Sequence, residues 1–413
     1  GMGVAVVEKR DLPIVAFALL FRTGTTADPK DLPGLASMTT QLMAEGTQTR
    51  TSQEIAIGFE FIGARLSSET HRESTVLSSE TLTKYWPIAL DLMADVVLHP
   101  NFPEHELERV RREHLTDLQR AKDDATFIAG QVMPGLVYGR DSGYGHPPHG
   151  TIESVTALTQ ADLKRQYLAH FGPSAATLIV AGDTNLDEVM AKAQAAFGEW
   201  DNPMLEQPAA LDVAAEAQAD PTTVYLVDKP GAAQSVIRAG HTTIPRNHPD
   251  YFKLVLLNFA FGGQFSARLN QNLRQDKGYS YGFNSSISWY NQPSLFVAGG
   301  SVQTEVTKES VVETLKEFRD VRGSRPISDD ELNGARNGFS RGYPAGFERP
   351  SQVLGQVVQL LIHDLPDDYF RTVSHELAEV TLEQVQQTGV GRVHPDALTV
   401  LGVGDRQVVE PGL

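Results

Sequence analysis

Residues Thr159 to Asp183, TQADLKRQYLAHFGPSAATLIVAGD, and residues Thr381 to Asp405, TLEQVQQTGVGRVHPDALTVLGVGD, align without a gap. The spacing is 381 − 159 = 222, and it is kept by Thr159 and Thr381, Pro173 and Pro395, Thr177 and Thr399, and the Gly-Asp pairs at 182–183 and 404–405. Each copy reads as a Thr-capped helix, a Pro-marked turn and an apolar strand that ends in Gly-Asp. A gapless match at this spacing predicts a chain built of two copies of one fold.

Upstream of these shared ends, each half opens with a strand that leads into a helix. In the first half these are Ile14 to Arg22 and Leu35 to Glu45, joined by a loop over Gly24 to Pro33; in the second they are Ser235 to Thr242 and Pro249 to Phe261. Strands are expected near Arg65 to Glu69 and Glu73 to Glu80, with helices at Lys84 to Leu98 and Glu104 to Lys122. The second half repeats the order: helix Phe265 to Gln275, strands Tyr279 to Ser288 and Ser294 to Ser301, then helices Glu305 to Asp320, Ser328 to Arg341 and Ser351 to His363. Strands beside strands and helices in runs predict an α+β class, each copy an antiparallel-rich sheet layered with helices. The expected organisation is a domain over 1–203, a Pro-, Ala- and acid-rich linker over 204–221 and a second domain over 222–413.

The 413 residues carry 35 Lys plus Arg against 52 Asp plus Glu, a formal net charge of −17, which opposes binding to phosphate backbones and so to nucleic acid. Arg109, Arg111 and Arg112 are the one local basic group, and they read as the solvated face of a helix. There is no cysteine, which removes disulfides, thiol nucleophiles and Cys-type zinc sites together. No apolar run reaches the length of a membrane span. The opening Gly1-Met2-Gly3 has no basic-then-apolar leader, and a Gly before Met reads as a cloning remnant, so a natural signal peptide is expected to have been cut away.

The helix at 35–45 places Leu35, Met38 and Leu42 on its buried side and leaves Ser37, Thr40 and Gln41 together on another. Positions i, i+3 and i+4 are where a His-x-x-Glu-His helix holds two imidazoles on zinc with a carboxylate beside them. Two hydroxyls and an amide stand there instead. They are weak ligands, and none is a general base near neutral pH without an activating partner.

The flanking residues carry a resemblance. Pro33-Gly34-Leu35-Ala36 before Ser37, and Leu42-Met43-Ala44-Glu45-Gly46-Thr47 after it, resemble the inverted zinc motif region of the insulinase and pitrilysin family, near mitochondrial processing peptidase and its bacterial relatives. The likeness continues through Gly63-Ala64-Arg65-Leu66 and Glu108-Arg109. It implies that Ser37 stands at the first His, Thr40 at the Glu, Gln41 at the second His, and Asp117, which lies 117 − 41 = 76 residues beyond Gln41, at the distal Glu ligand. Asp117 alone keeps a ligand-type side chain, so this chain is expected to bind no metal.

In the second half, Phe261-Gly262-Gly263, Arg268-Leu269, Leu273-Arg274, Lys277-Gly278 and Tyr281-Gly282 resemble the family segment that brings an Arg and a Tyr to face the zinc. These are Arg274 and Tyr281, the first ending a helix and the second opening a strand, with Gly278 at the turn. Both can donate to a peptide carbonyl as it becomes an oxyanion. The resemblance implies two domains like those of mitochondrial processing peptidase and the non-zinc subunit of a two-chain zinc endopeptidase. Zinc and the general base would come from a homologous partner, with peptides as substrates and the bacterial periplasm or the cytoplasm as location. The rival from another class is an inert architectural or binding member; a third reading, another metal held through Asp117 and histidines, is the weakest.

Three other signals stay structural. His146-Pro147-Pro148-His149 reads as a rim loop because its prolines lock an extended segment. His105 and His114 read as solvated helix residues. Gly262-Gly263 and Gly299-Gly300 lack the Lys-Ser/Thr ending of a phosphate loop.

Overall fold

The computed structural model describes residues 1–206 and 221–412, so most of the expected linker at 204–221 lies outside the described residues. Among the described residues, ten strands form two five-stranded sheets. The first contains β1 (Gly3–Glu8), β2 (Ile14–Phe21), β3 (Ser67–Thr70), β4 (Thr75–Leu82) and β5 (Ala176–Gly182), in the order β1-β5-β2-β4-β3. The second contains β6 (Thr223–Asp228), β7 (Gln234–Thr243), β8 (Ser280–Ser288), β9 (Ser294–Gln303) and β10 (Thr399–Gly404), in the order β6-β10-β7-β9-β8. The orders are identical, which gives the sequence repeat its structural meaning.

The repeated segments behave as their residues dictate. Thr159 and Thr381 cap the helices Gln160–His170 and Leu382–Arg392, each closing a capping box with the residue at the third helical position, Asp162 or Gln384. The strands that follow, β5 and β10, are the second in each sheet and are covered on both faces, which explains their unbroken apolar runs. Each pairs in parallel with an edge strand, Gly3 opposite Thr177 and Thr223 opposite Thr399. All other pairings are antiparallel.

In the first sheet, the odd residues of β2, Val15, Phe17, Leu19 and Phe21, enter a core with Met38, Leu42 and Trp86 on one face. The even residues Ala16, Ala18 and Leu20 pack with Ile179 and Ala181 on the other. The helix against that second face is Pro350–Ile362, which presents Val353, Leu354, Val358 and Ile362. The second sheet receives Ala129 and Met133 of the helix Ala125–Tyr138 against Val236, Leu401 and Val403.

Each half of the chain therefore lends one helix to the other half's sheet. The first compact unit comprises Gly1–Gln119, His146–Leu211 and Pro344–Ile362, and the second Arg120–Gly145, Asp212–Tyr343 and His363–Leu413. Both lent helices are rich in apolar residues because they close a sheet face that is otherwise open. Among the described residues, no helix is long and apolar enough to cross a membrane.

Candidate functional site

The helix carrying the first candidate residues spans Leu35–Met43. It begins at Gly34, whose φ of +91° suits glycine, and a Cβ there would lie 2.8 Å from Cα of Gly150. Its first turn is capped from a distance: the Asp28 carboxylate accepts from the backbone N–H of Gly34 and of Ala36, both at 2.7 Å. Burial pushes the Asp28 carboxyl up to about 7, against the downward pull of the two N–H groups.

The face that would hold a metal is tied up in hydrogen bonds. Ser37 Oγ donates to the carbonyl of Pro148 at 2.9 Å. Thr40 is 1% exposed; its Oγ1 donates to the Ala36 carbonyl and accepts from Thr70 Oγ1 on β3, each at 2.9 Å. Gln41 is exposed, and so is Asp117 on the helix Glu104–Ala121. Two hydroxyls with their hydrogen bonds satisfied and an exposed amide do not make a zinc site, so the residues present do not fit the metal that the motif region implies. Among the described residues, no three His, Asp or Glu side chains converge to hold a metal ion.

Two expectations need correction here, and the loop expected at 146–149 is present. The 146–149 segment is more than a rim loop, because Pro148 meets Ser37 and the His149 carbonyl lies 2.7 Å from Nε2 of His114. His146 is buried, and burial together with the nearby His114 pulls the His149 imidazole down. His114 is therefore part of the loop's seat, whereas His105 is exposed as expected. Nor do the three arginines form one solvated face. Arg111 is directed at the carbonyls of Val155, Thr156 and Leu158, and Arg109 bridges Glu45, Glu106 and Glu113. Only Arg112 is exposed. Charge pattern alone cannot show that a helix end or a glutamate cluster awaits each guanidinium.

β3 is the last strand of the first sheet, and beside it the same unit holds a cleft of about 870 Å³. β3 contributes Glu69, the turn after it His71 and β4 Glu80 to its lining, and the helix Pro350–Ile362 contributes Leu354 and Val358. An edge strand offers unpaired backbone donors and acceptors to an added chain.

In the second unit the chain brings Arg274 and Tyr281 together as their spacing suggests. Arg274 lies in a π-helical turn, Gln271–Asp276, and Gly278 turns the chain at φ +65° into β8. Tyr281 sits where the β8 register slips by one residue between Ser280 and Phe283, a bulge that re-aims its side chain. Ser280 pins the bulge: its Oγ accepts from the Gly282 N–H at 3.1 Å and reaches the Ser301 carbonyl at 2.7 Å. Tyr281 is 86% exposed, and the Arg274 guanidinium carbon lies over its ring at 4.9 Å.

A residue that sequence reading does not single out completes this group. Phe265, 64% exposed, lies under the same guanidinium at 4.5 Å. Each such contact at an exposed site is worth about 0.5–1 kcal/mol, enough to bias a rotamer but too little to hold a fold. Its only sequence signal is an aromatic nine residues before Arg274, and the contact forms across a turn that has no fixed period.

From behind, the π-helical turn is held by buried polar groups. Asn272 donates to Glu313 at 3.0 Å and to the buried Glu317 at 2.8 Å. Lys277 pairs with Glu313 at 3.2 Å, and the Asn272 hydrogen bond and Lys277 hold that carboxyl below its ordinary range. No hydrogen bond or ion pair to Arg274 is formed among the described residues.

Two family descriptions match this chain: insulinase, peptidase family M16, over residues 4–131, and the peptidase M16 inactive domain over residues 157–339. It is 25% identical over 322 residues to an uncharacterized zinc protease, YmxG, of Bacillus subtilis, covering 76% of each chain. It is 22% identical over 383 residues to a protein of Helicobacter pylori named as a non-peptidase homolog, covering 92% of this chain and 86% of that one. The fold superimposes with a TM-score of 0.89 and 24% identity on a peptidase M16 inactive domain from Pseudomonas fluorescens, covering 98% and 96% of the two chains. Together with the twofold repeat, these matches make the chain a member of the insulinase, or M16, peptidase family.

Proposed function

We propose that this chain is the non-zinc subunit of a two-chain zinc endopeptidase that degrades peptides. The observation that carries this reading is the contrast within one chain. The motif helix has its hydroxyls bonded to its own fold, while a half-buried Arg274 stands beside an exposed Tyr281, with the guanidinium making no hydrogen bond among the described residues. A half-buried cation without a hydrogen-bond partner, held beside an exposed phenol, is costly to order unless something is to be bound there.

A homologous partner would bring the metal and the carboxylate that takes a proton from water. This chain's share is electrostatic. As a peptide carbonyl takes on negative charge, the Arg274 N–H groups and the Tyr281 O–H donate to it, and the benefit grows with the charge, so it lowers the barrier more than it strengthens ground-state binding. The open edge of β3 and its cleft support the holding of an extended peptide by this chain.

The test is reconstitution with a zinc-bearing homologue that co-purifies with this chain. Alone, this chain should carry no stoichiometric zinc and cleave no peptide, and the partner's peptidase rate should rise as it is added until the two are equimolar. A partner whose rate is indifferent to the addition contradicts the proposal and leaves the architectural reading.

A further inference from the structure

We infer that Phe265 is a positioning residue for Arg274, holding the guanidinium in register with Tyr281. This rests on the reading of Arg274 and Tyr281 as donors. The ring lies 4.5 Å under the guanidinium carbon, closer than the 4.9 Å of Tyr281, so the cation is flanked by two aromatic contacts and by no hydrogen bond among the described residues. A guanidinium held by ring faces keeps its N–H groups available to a ligand, whereas one held by a carboxylate would spend them.

The backbone around Phe265 is built to place that ring. Asn270, 1% exposed, donates through Nδ2 to the Phe265 carbonyl at 2.7 Å and accepts through Oδ1 from the Phe283 N–H at 3.3 Å. Phe283 belongs to β8, the strand that carries Tyr281, so one buried amide couples the two flanking aromatics. Arg268 anchors the same segment to Glu331 and to the carbonyls of Arg325 and Pro326. Held by its backbone, Phe265 is nevertheless 64% exposed, so its side chain contributes little to the core and its removal should leave the fold intact.

The test uses two readouts. In the isolated full chain, the ¹⁵Nε–¹Hε heteronuclear NOE of Arg274 should match that of ordered backbone amides; Phe265→Leu should lower it, and Phe265→Trp should restore it. In the complex with the zinc-bearing partner, Phe265→Leu should lower kcat by about two- to fivefold with KM little changed, and Phe265→Trp should recover most of the loss. An Arg274 side chain equally ordered in Phe265→Leu, with wild-type kcat, overturns the inference. If Arg274→Ala slows the complex and Phe265→Leu does not, the inference alone fails. If Arg274→Ala is also silent, the donor reading fails with it.

Discussion

Two regions of this molecule, each beside the last strand of its own sheet, have gone opposite ways. On the Leu35–Met43 helix the hydroxyl side chains are short and bonded to the fold, Gln41 alone being exposed: Ser37 bonds a loop carbonyl, and Thr40 bonds its own helix and β3. At the start of β8 they are long and turned outward, Arg274 resting on two rings and Tyr281 lifted by a bulge. The first arrangement satisfies every hydroxyl and has little left to offer a ligand. The second leaves strong donors unspent. The same topology thus hosts a closed site and an open one, and side-chain reach decides which is which.

The largest effect should come from trying to reverse the first region. Ser37→His, Thr40→Glu and Gln41→His together would restore the motif, but Thr40 is 1% exposed and hydrogen-bonded to Ala36 and Thr70, so a carboxylate there would be buried at a cost. We expect a loss of about 3–5 kcal/mol of stability and no equimolar zinc. Thermal melting and metal analysis check this, and a stable variant that takes up one zinc would break the comparison. Next in size, Tyr281→Phe should slow the reconstituted complex by about tenfold or more with its melting temperature unchanged, since a residue 86% exposed adds little to the fold.

Asp28 tests how firmly the first region is held. Burial raises its folded-state pKa from 3.8 to about 7, so the folded protein binds that proton more tightly than the unfolded chain. Its contribution is complete below the unfolded value and is lost as pH rises through about 7. Asp28→Ala should therefore cost about 1–2 kcal/mol near pH 5 and less near pH 8, measured by urea unfolding. An equal cost at both would show that the carboxyl does not titrate in this range. The smallest effect, about 1 kcal/mol, is expected for Thr40→Val, which removes one hydroxyl and leaves Thr70 without its acceptor.

Much of this was legible in the sequence because the signals are local. Thr159 and Thr381 announce helix starts by cap chemistry, β5 and β10 by apolar runs, and the altered motif by residue type at fixed helical spacing. What escaped depends on distance along the chain. β1 and β6 are edge strands whose parallel partners lie 177 − 3 = 174 and 399 − 223 = 176 residues away, so no hairpin turn marks them. The two lent helices read as ordinary amphipathic segments, and nothing in Ala125–Tyr138 or Pro350–Ile362 states which sheet each will cover. Pro148 over Ser37 and Phe265 under Arg274 are contacts between loop and helix, where no periodicity operates.

The central claim is that Arg274 acts on a peptide whose bond is cut with a partner's help. The most direct measurement is kcat/KM of the reconstituted complex with Arg274→Ala in this chain, at equal assembly judged by co-elution. A fall of about 100-fold or more is predicted, the usual consequence of removing one oxyanion donor. A rate equal to that of the wild-type complex would contradict the account.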